Sequence, residues 1–252
     1  MRKRFSNLLP ILLPSMIFAL FPVAAVAETI EGFVEVQGAA PQPEKLRRNS
    51  DPFCAKKVMF DPSIQLKGNR LKDVWVRVSA GAPDQQGSPD KTVEIHQRQC
   101  MYEPRVAAMQ TGNRVVIQND DPVLHNVHAY SAANTIFNRA MPTGSAAIRF
   151  DGTTSQSTSR WKGLLRWKCD VHAWMGGYLA VAQNPFFAVS DGNGVFRIEN
   201  VPPGHYSLTA WHEKYGERTV EITIEPGNAA KTVFQYRQKL TQTGLPAEGK
   251  KS

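Results

Sequence analysis

The chain has 252 residues, of which 21% are charged and 42% hydrophobic, and its formal net charge is +8. At roughly 100–200 residues per domain, this is one large domain or two small ones. The balance excludes a wholly disordered chain and a multispanning membrane protein, and no dense Lys/Arg run offers a nucleic-acid interface.

The first element is a leader. Arg2, Lys3 and Arg4 precede an apolar stretch from Leu8 to Val26, which Ala25-Val26-Ala27 closes with small residues. This reads as a secretory signal peptide over residues 1–27, cleaved before Glu28. Pro10, Pro14 and Pro22 argue against a retained membrane anchor, and no Cys follows the apolar run for lipid attachment. Cleavage removes three basic and no acidic residues, leaving 225 residues with a net charge of +5. The expectation is a periplasmic or otherwise exported protein.

Beyond the leader the pattern is all-β. Residues 29–36, 74–79, 91–97, 113–118, 164–167, 178–182, 194–198, 206–211 and 218–224 are short runs with β-branched or aromatic residues. Asp-Gly at 151–152 and 191–192, Pro-Pro-Gly at 202–204 and Pro-Gly at 226–227 mark turns. No segment after the leader keeps a 3.6-residue period. Two or more packed β-sandwich units follow from this. Residues 81–90 read as a loop or linker, and the polar stretch 239–252 as a frayed tail.

The chemistry concentrates in residues 168–175, Lys-Cys-Asp-Val-His-Ala-Trp-Met, with His125 some 40 residues earlier. A thiolate, two imidazoles and a thioether at Cys169, His125, His172 and Met175 suit an electron-transfer copper site. The thiolate stabilises Cu(I), the imidazoles hold Cu(II), and Met is a weak axial ligand. A Met ligand suits copper and not zinc. His128 has the opposite strand parity to His125 and reads as structural or solvent-facing. His96, His205 and His212 have no partner pattern, although the turn around His212 could lie near the copper end. Cys54 and Cys100 remain once Cys169 is assigned to metal. In an exported protein an even remainder favours a disulfide, the alternative being a copper-capture thiol.

These residues carry a resemblance. Gly112-Asn-Arg-Val-Val-Ile-Gln-Asn119, His125-Asn126-Val127 and Cys169-x-x-His172-x-x-Met175, followed by Tyr178-Leu-Ala-Val-Ala182, are similar to the cupredoxins, the plastocyanin-like blue copper proteins, closest to amicyanin and pseudoazurin. The likeness covers about residues 92–184. It implies a Greek-key β-sandwich with one type 1 copper ion at one end, held by His125, Cys169, His172 and Met175. Asn126 would bridge the two ligand loops without binding metal. An exposed edge of His172, framed by Ala173, Trp174, Gly176 and Gly177, would be the electron exit and docking patch.

A second resemblance lies in Ser190-Asp191-x-x-Gly194-x-Phe196 and Val201-Pro202-Pro203-Gly204-x-Tyr206-x-Leu208. They are similar to the end of a carboxypeptidase regulatory-like (prealbumin-like) β-sandwich, usually a scaffold. Its first strands are sought in Ile30-Glu-Gly-Phe-Val-Glu-Val36 and Val74-Trp-Val-Arg-Val78. Residues 28–85 and 186–236 would then form one discontinuous domain with the 92–184 unit inserted. The alternative is a simple tandem order.

The expectation is a single-electron carrier and not an enzyme, working with redox proteins of the cell envelope. A copper chaperone, store or resistance factor is the alternative, and an envelope binding or structural module the third reading.

Overall fold

The computed structural model describes residues 27–131, 134–151 and 158–238. Apart from Ala27, the expected leader lies outside the described residues, as does the expected tail. Among the described residues there are 18 strands and a single four-residue α-helix. In chain order these are β1 (Glu28–Gln37), α1 (Pro52–Ala55), β2 (Leu66–Lys67), β3 (Arg70–Leu71), β4 (Trp75–Ala80), β5 (Thr92–Arg98), β6 (Met101–Glu103), β7 (Val106–Gln110), β8 (Arg114–Asn119) and β9 (His125–Ser131). There follow β10 (Asn134–Met141), β11 (Ile148–Phe150), β12 (Gly163–Lys168), β13 (Gly176–Ala182), β14 (Phe187–Val189), β15 (Val195–Val201), β16 (Gly204–His212), β17 (Gly216–Ile224) and β18 (Ala230–Arg237). The protein is all-β, and each of the nine runs expected from the sequence falls on a strand.

The strands make four sheets around two main cores. One sheet centres on β1, which pairs with β15 and β3 along one edge and lies parallel to β18 along the other. Facing it, a second sheet runs β14-β4-β16-β17. Their alternating inward residues, among them Ile30, Val34, Leu71, Val76, Phe196, Leu208 and Phe234, bury one core. Every strand of this pair comes from before residue 81 or after residue 186. The intervening chain supplies the other two sheets, β10-β9-β12-β13-β7 and β11-β8-β5-β6. Ile95, Met109, Ile117, Val127, Phe150, Trp167 and Leu179 fill their core.

The two pairs of sheets meet face to face. Trp75, Ala180 and Ala182 are buried at this contact, with Leu164, Phe187 and Trp211 packed against them. At its margin Arg105, just before β7, makes a bidentate ion pair with Glu213 after β16, at 2.5 and 2.8 Å. The third Arg105 nitrogen donates to the Gly176 carbonyl at 3.0 Å, so the same side chain touches the end of the Cys169–Met175 loop.

Candidate metal centre

Register delivers the donors. β12 ends at Lys168, which pairs with Gly176 of β13 and His128 of β9. Cys169 therefore leaves the sheet beside Val127, on the same inward face as His125. The loop from Cys169 to Met175 closes on itself: Cys169 N–H donates to the Met175 carbonyl at 3.1 Å and Met175 N–H to the His172 carbonyl at 2.9 Å. Gly177 lets the loop's exit lie flat, since a Cβ there would stand 2.9 Å from the Arg105 carbonyl and 3.1 Å from the Trp167 ring.

His125 Nδ1 lies 3.0 Å from His172 Nδ1, and Cys169 Sγ lies 3.8 Å from His172 Nδ1. Bonds of about 2.0 Å to nitrogen and 2.3 Å to sulfur fit one ion among donors spaced in this way. All three residues are at most 2% exposed. The remote nitrogens are taken by carboxylates. His125 Nε2 is 2.9 Å from Asp121 Oδ2, and His172 Nε2 is 3.2 Å from Asp51 Oδ2. With both Nε2–H groups donating, the two Nδ1 atoms meet as acceptors, and a cation, proton or metal, has to stand between them.

The charges agree with that reading. Burial works against a charged His125, yet Asp121 and Cys169 hold its pKa above the ordinary value. Burial depresses His172, and the charge on His125 pushes it further down against the pull of Asp51. Burial alone would raise the Cys169 thiol, but His125 and the backbone N–H groups of Asn126, His172 and Val171 bring it below the usual value. These are the conditions of a thiolate ready to ligate.

Around the donors runs a second chain of contacts. Asp121 also accepts from Gln99 and Cys100 N–H, each at 2.7 Å. Those two residues form the β5–β6 turn with φ of 54° and 57°, a left-handed geometry that non-glycine residues rarely adopt. Cys100 is joined by a disulfide to Cys54. Cys54 Sγ stands 3.7 Å from His172 Nε2. The Cys54 N–H in turn donates to Asp51 Oδ1 at 3.1 Å. The circuit from His125 through Asp121, the disulfide and Asp51 thus closes on His172.

Asn126 lies between the ligand loops. Its Oδ1 accepts from Asp170 N–H at 2.5 Å, and its Nδ2 donates to Asn138 and Asp170. Met175 is 1% exposed in the same core as Cys169. His128 points away and bonds Asp170 and Thr135. His96 pairs with Asp120, and His205 with Thr223. His212 is buried beside Tyr215, where its Nδ1 accepts from Lys214 N–H at 3.2 Å.

One expectation is corrected. His172 has no exposed edge: it is 2% exposed because the stretch between β1 and β2 lies over it, bringing Asp51 and Cys54 into contact. Trp174 is half-buried, donating to the Cys100 carbonyl at 3.1 Å, and Gly177 is buried. Asp51 and Asp121 escaped the sequence reading. Each precedes a proline, three residues before Cys54 and four before His125 respectively, so an Asp-Pro turn next to a candidate donor was the available signal.

Residues 173–237 match the family model of the carboxypeptidase regulatory-like domain. No curated protein sequence matches the chain. Among solved structures, a purple cupredoxin from Nitrosopumilus maritimus is similar at 24% identity and a TM-score of 0.28, over 35% of this chain and 98% of its own. Amicyanin from Paracoccus versutus is similar at 18% identity and a TM-score of 0.30, over 42% of this chain and 97% of its own. A copper-containing nitrite reductase from Thermus scotoductus is similar at 18% identity and a TM-score of 0.30; 43% of this chain aligns with 25% of that one.

Proposed function

We propose that this chain is an exported type 1 copper protein that carries single electrons between redox proteins of the cell envelope, without catalysing a reaction of its own. The observation that supports this most is the convergence of His125 Nδ1, His172 Nδ1 and Cys169 Sγ, with separations of 3.0 Å between the nitrogens and 3.8 Å from sulfur to His172. One thiolate and two imidazoles are the donors copper prefers over the harder cations, and Met175 follows in the same loop as the fourth candidate. Copper held by such donors passes between Cu(II) and Cu(I) and so carries one electron.

The protein's own part is to hold those donors still and dry. Asp121 orients the His125 imidazole through Nε2, Asn126 ties the Cys169 loop to β9, and the surrounding core excludes water. A chaperone or store needs ligands that a partner can reach, whereas His125, Cys169 and His172 are at most 2% exposed. That favours resident copper over exchanged copper. We read residues 92–184 as a metal-binding unit inserted between the 28–85 and 186–236 parts of a scaffold sandwich. The disulfide fits an oxidising compartment, in keeping with export.

The test is the visible absorption spectrum after one equivalent of Cu(II). An intense thiolate-to-copper charge-transfer band is expected, bleached by a mild reductant and lost in Cys169→Ser. A colourless protein that takes up Cu(I) alone would turn the reading to copper handling. Binding of neither ion would leave a structural module.

A further inference from the structure

We propose that Asp51 is a positioning residue for the metal centre, delivered there by the Cys54–Cys100 disulfide. This rests on the copper reading above. Metal-bound imidazoles usually donate their other N–H to a carboxylate or carbonyl, which fixes the tautomer and the ring orientation. Asp121 does this for His125 from four residues away, in the loop that leads into β9. Asp51 does it for His172 from 121 residues away, on a stretch of chain between the scaffold strands β1 and β2.

That stretch is built to present one carboxylate. Leu46 N–H donates to the Met59 carbonyl at 2.9 Å and Asp61 N–H to the Glu44 carbonyl at 2.7 Å, so the segment folds back on itself. Its tip is tied to the β5–β6 turn. Arg48 donates to the Gln99 carbonyl, Lys57 donates to Gln99 Oε1 at 2.7 Å, and Cys54 is bonded to Cys100. Asp51 divides its two oxygens. Oδ1 caps the short helix by accepting from Phe53 and Cys54 N–H at 2.8 and 3.1 Å, while Oδ2 faces His172. The cap sets the direction of the carboxylate, and the disulfide sets its distance from the ring. The sandwich that bears no donor thus reaches across to hold one of the other unit's ligands.

The two uses of Asp51 separate by substitution. Asp51→Ser keeps a good helix cap and cannot reach His172. Asp51→Asn keeps cap and shape but can turn an amide N–H toward Nε2, which favours the tautomer with its proton on Nδ1, where the metal bonds. The full chain is to be examined in three ways: Cu(II) affinity by chelator competition, the charge-transfer spectrum, and the 15N shifts of His172 in metal-free protein at mildly alkaline pH. In the wild type His172 is expected as the Nε2–H tautomer. Both variants are expected to lose that preference, bind Cu(II) about 10–100-fold more weakly and keep their urea midpoint. Cys54→Ser/Cys100→Ser is expected to show the same tautomer change.

Unchanged affinity and tautomer in both Asp51 variants overturn the proposal. A lower urea midpoint with an unchanged tautomer also overturns it, because it leaves Asp51 only its cap. If the double Cys variant folds and keeps the wild-type tautomer, the role of the disulfide falls. If it does not fold, the Asp51 variants decide alone. Should the wild type bind no copper, the copper reading fails by itself, and the 15N shifts still decide whether Asp51 orients His172.

Discussion

His212 shows what burial costs a single titratable side chain. It is 1% exposed. Burial first, then the charges of Arg105 and Lys214, push its pKa down to about 4. An unfolded chain takes up that proton near pH 6.5, so between these values the unfolded state binds more protons than the native one. Stability from this group is therefore whole above about pH 6.5 and is lost as the pH falls toward 4. The shift corresponds to about 3 kcal/mol. His212→Gln, which cannot take the charge, is expected to reduce the fall in unfolding free energy over that window, read by urea titration, by about this amount. An equally steep fall in the variant would place the acid sensitivity in other groups. Of the two candidate-site histidines, His125 is held above the ordinary value by Asp121 and Cys169, whereas burial still depresses His172 although Asp51 faces it.

At the scale of elements, the Cys54–Cys100 bridge spans a sequence separation of 46 residues. Closing a loop of this length removes about 4 kcal/mol of chain entropy from the unfolded state in the entropic account. Cys54→Ser/Cys100→Ser is expected to lower the unfolding free energy by a few kcal/mol in denaturant titration. The bridge crosses from the β1–β2 connection to the β5–β6 turn, so its loss should fray the cover of the metal centre first. Strands such as β1, β8 and β16 were legible in the sequence because one face is buried and the apolar residues alternate or run together. β10 was not, since most of its residues face outward and only Met141 is fully buried. β2 and β3 have two residues each and no period to read. The donors were legible because Cys169, His172 and Met175 sit within one loop, with His125 following a clear strand. Their carboxylate partners were not, because only the folded chain brings Asp51 to His172. The cover over His172 stayed hidden for the same reason: the expected Cys54–Cys100 pairing ties residues 44–61 to the β5–β6 turn, but nothing in the sequence places that turn beside His172.

Across the whole molecule, the two sandwiches are joined by a small apolar contact, the Arg105–Glu213 ion pair and the Cys54–Cys100 disulfide. The Arg105 and Glu213 side chains are 13% and 7% exposed. Burial would depress Arg105, yet the Glu213 carboxylate keeps its pKa above the ordinary value. Glu213→Gln would leave the guanidinium without its counter-charge, and breaking such a pair typically costs about 3–5 kcal/mol. The thermal unfolding midpoint is expected to drop, and an unchanged midpoint would show that the ion pair contributes little beside the apolar contact and the disulfide. The order of the cysteines has a consequence in time. They occur as Cys54, Cys100 and then Cys169, and the native bridge joins the first two. A chain emerging N-terminus first into an oxidising space can complete that bridge before the third thiol appears. The same chain released all at once from denaturant has three possible pairings, two of which consume the thiol at the metal centre. In an exported chain, direction of emergence would thus protect the one thiol of the proposed donor set.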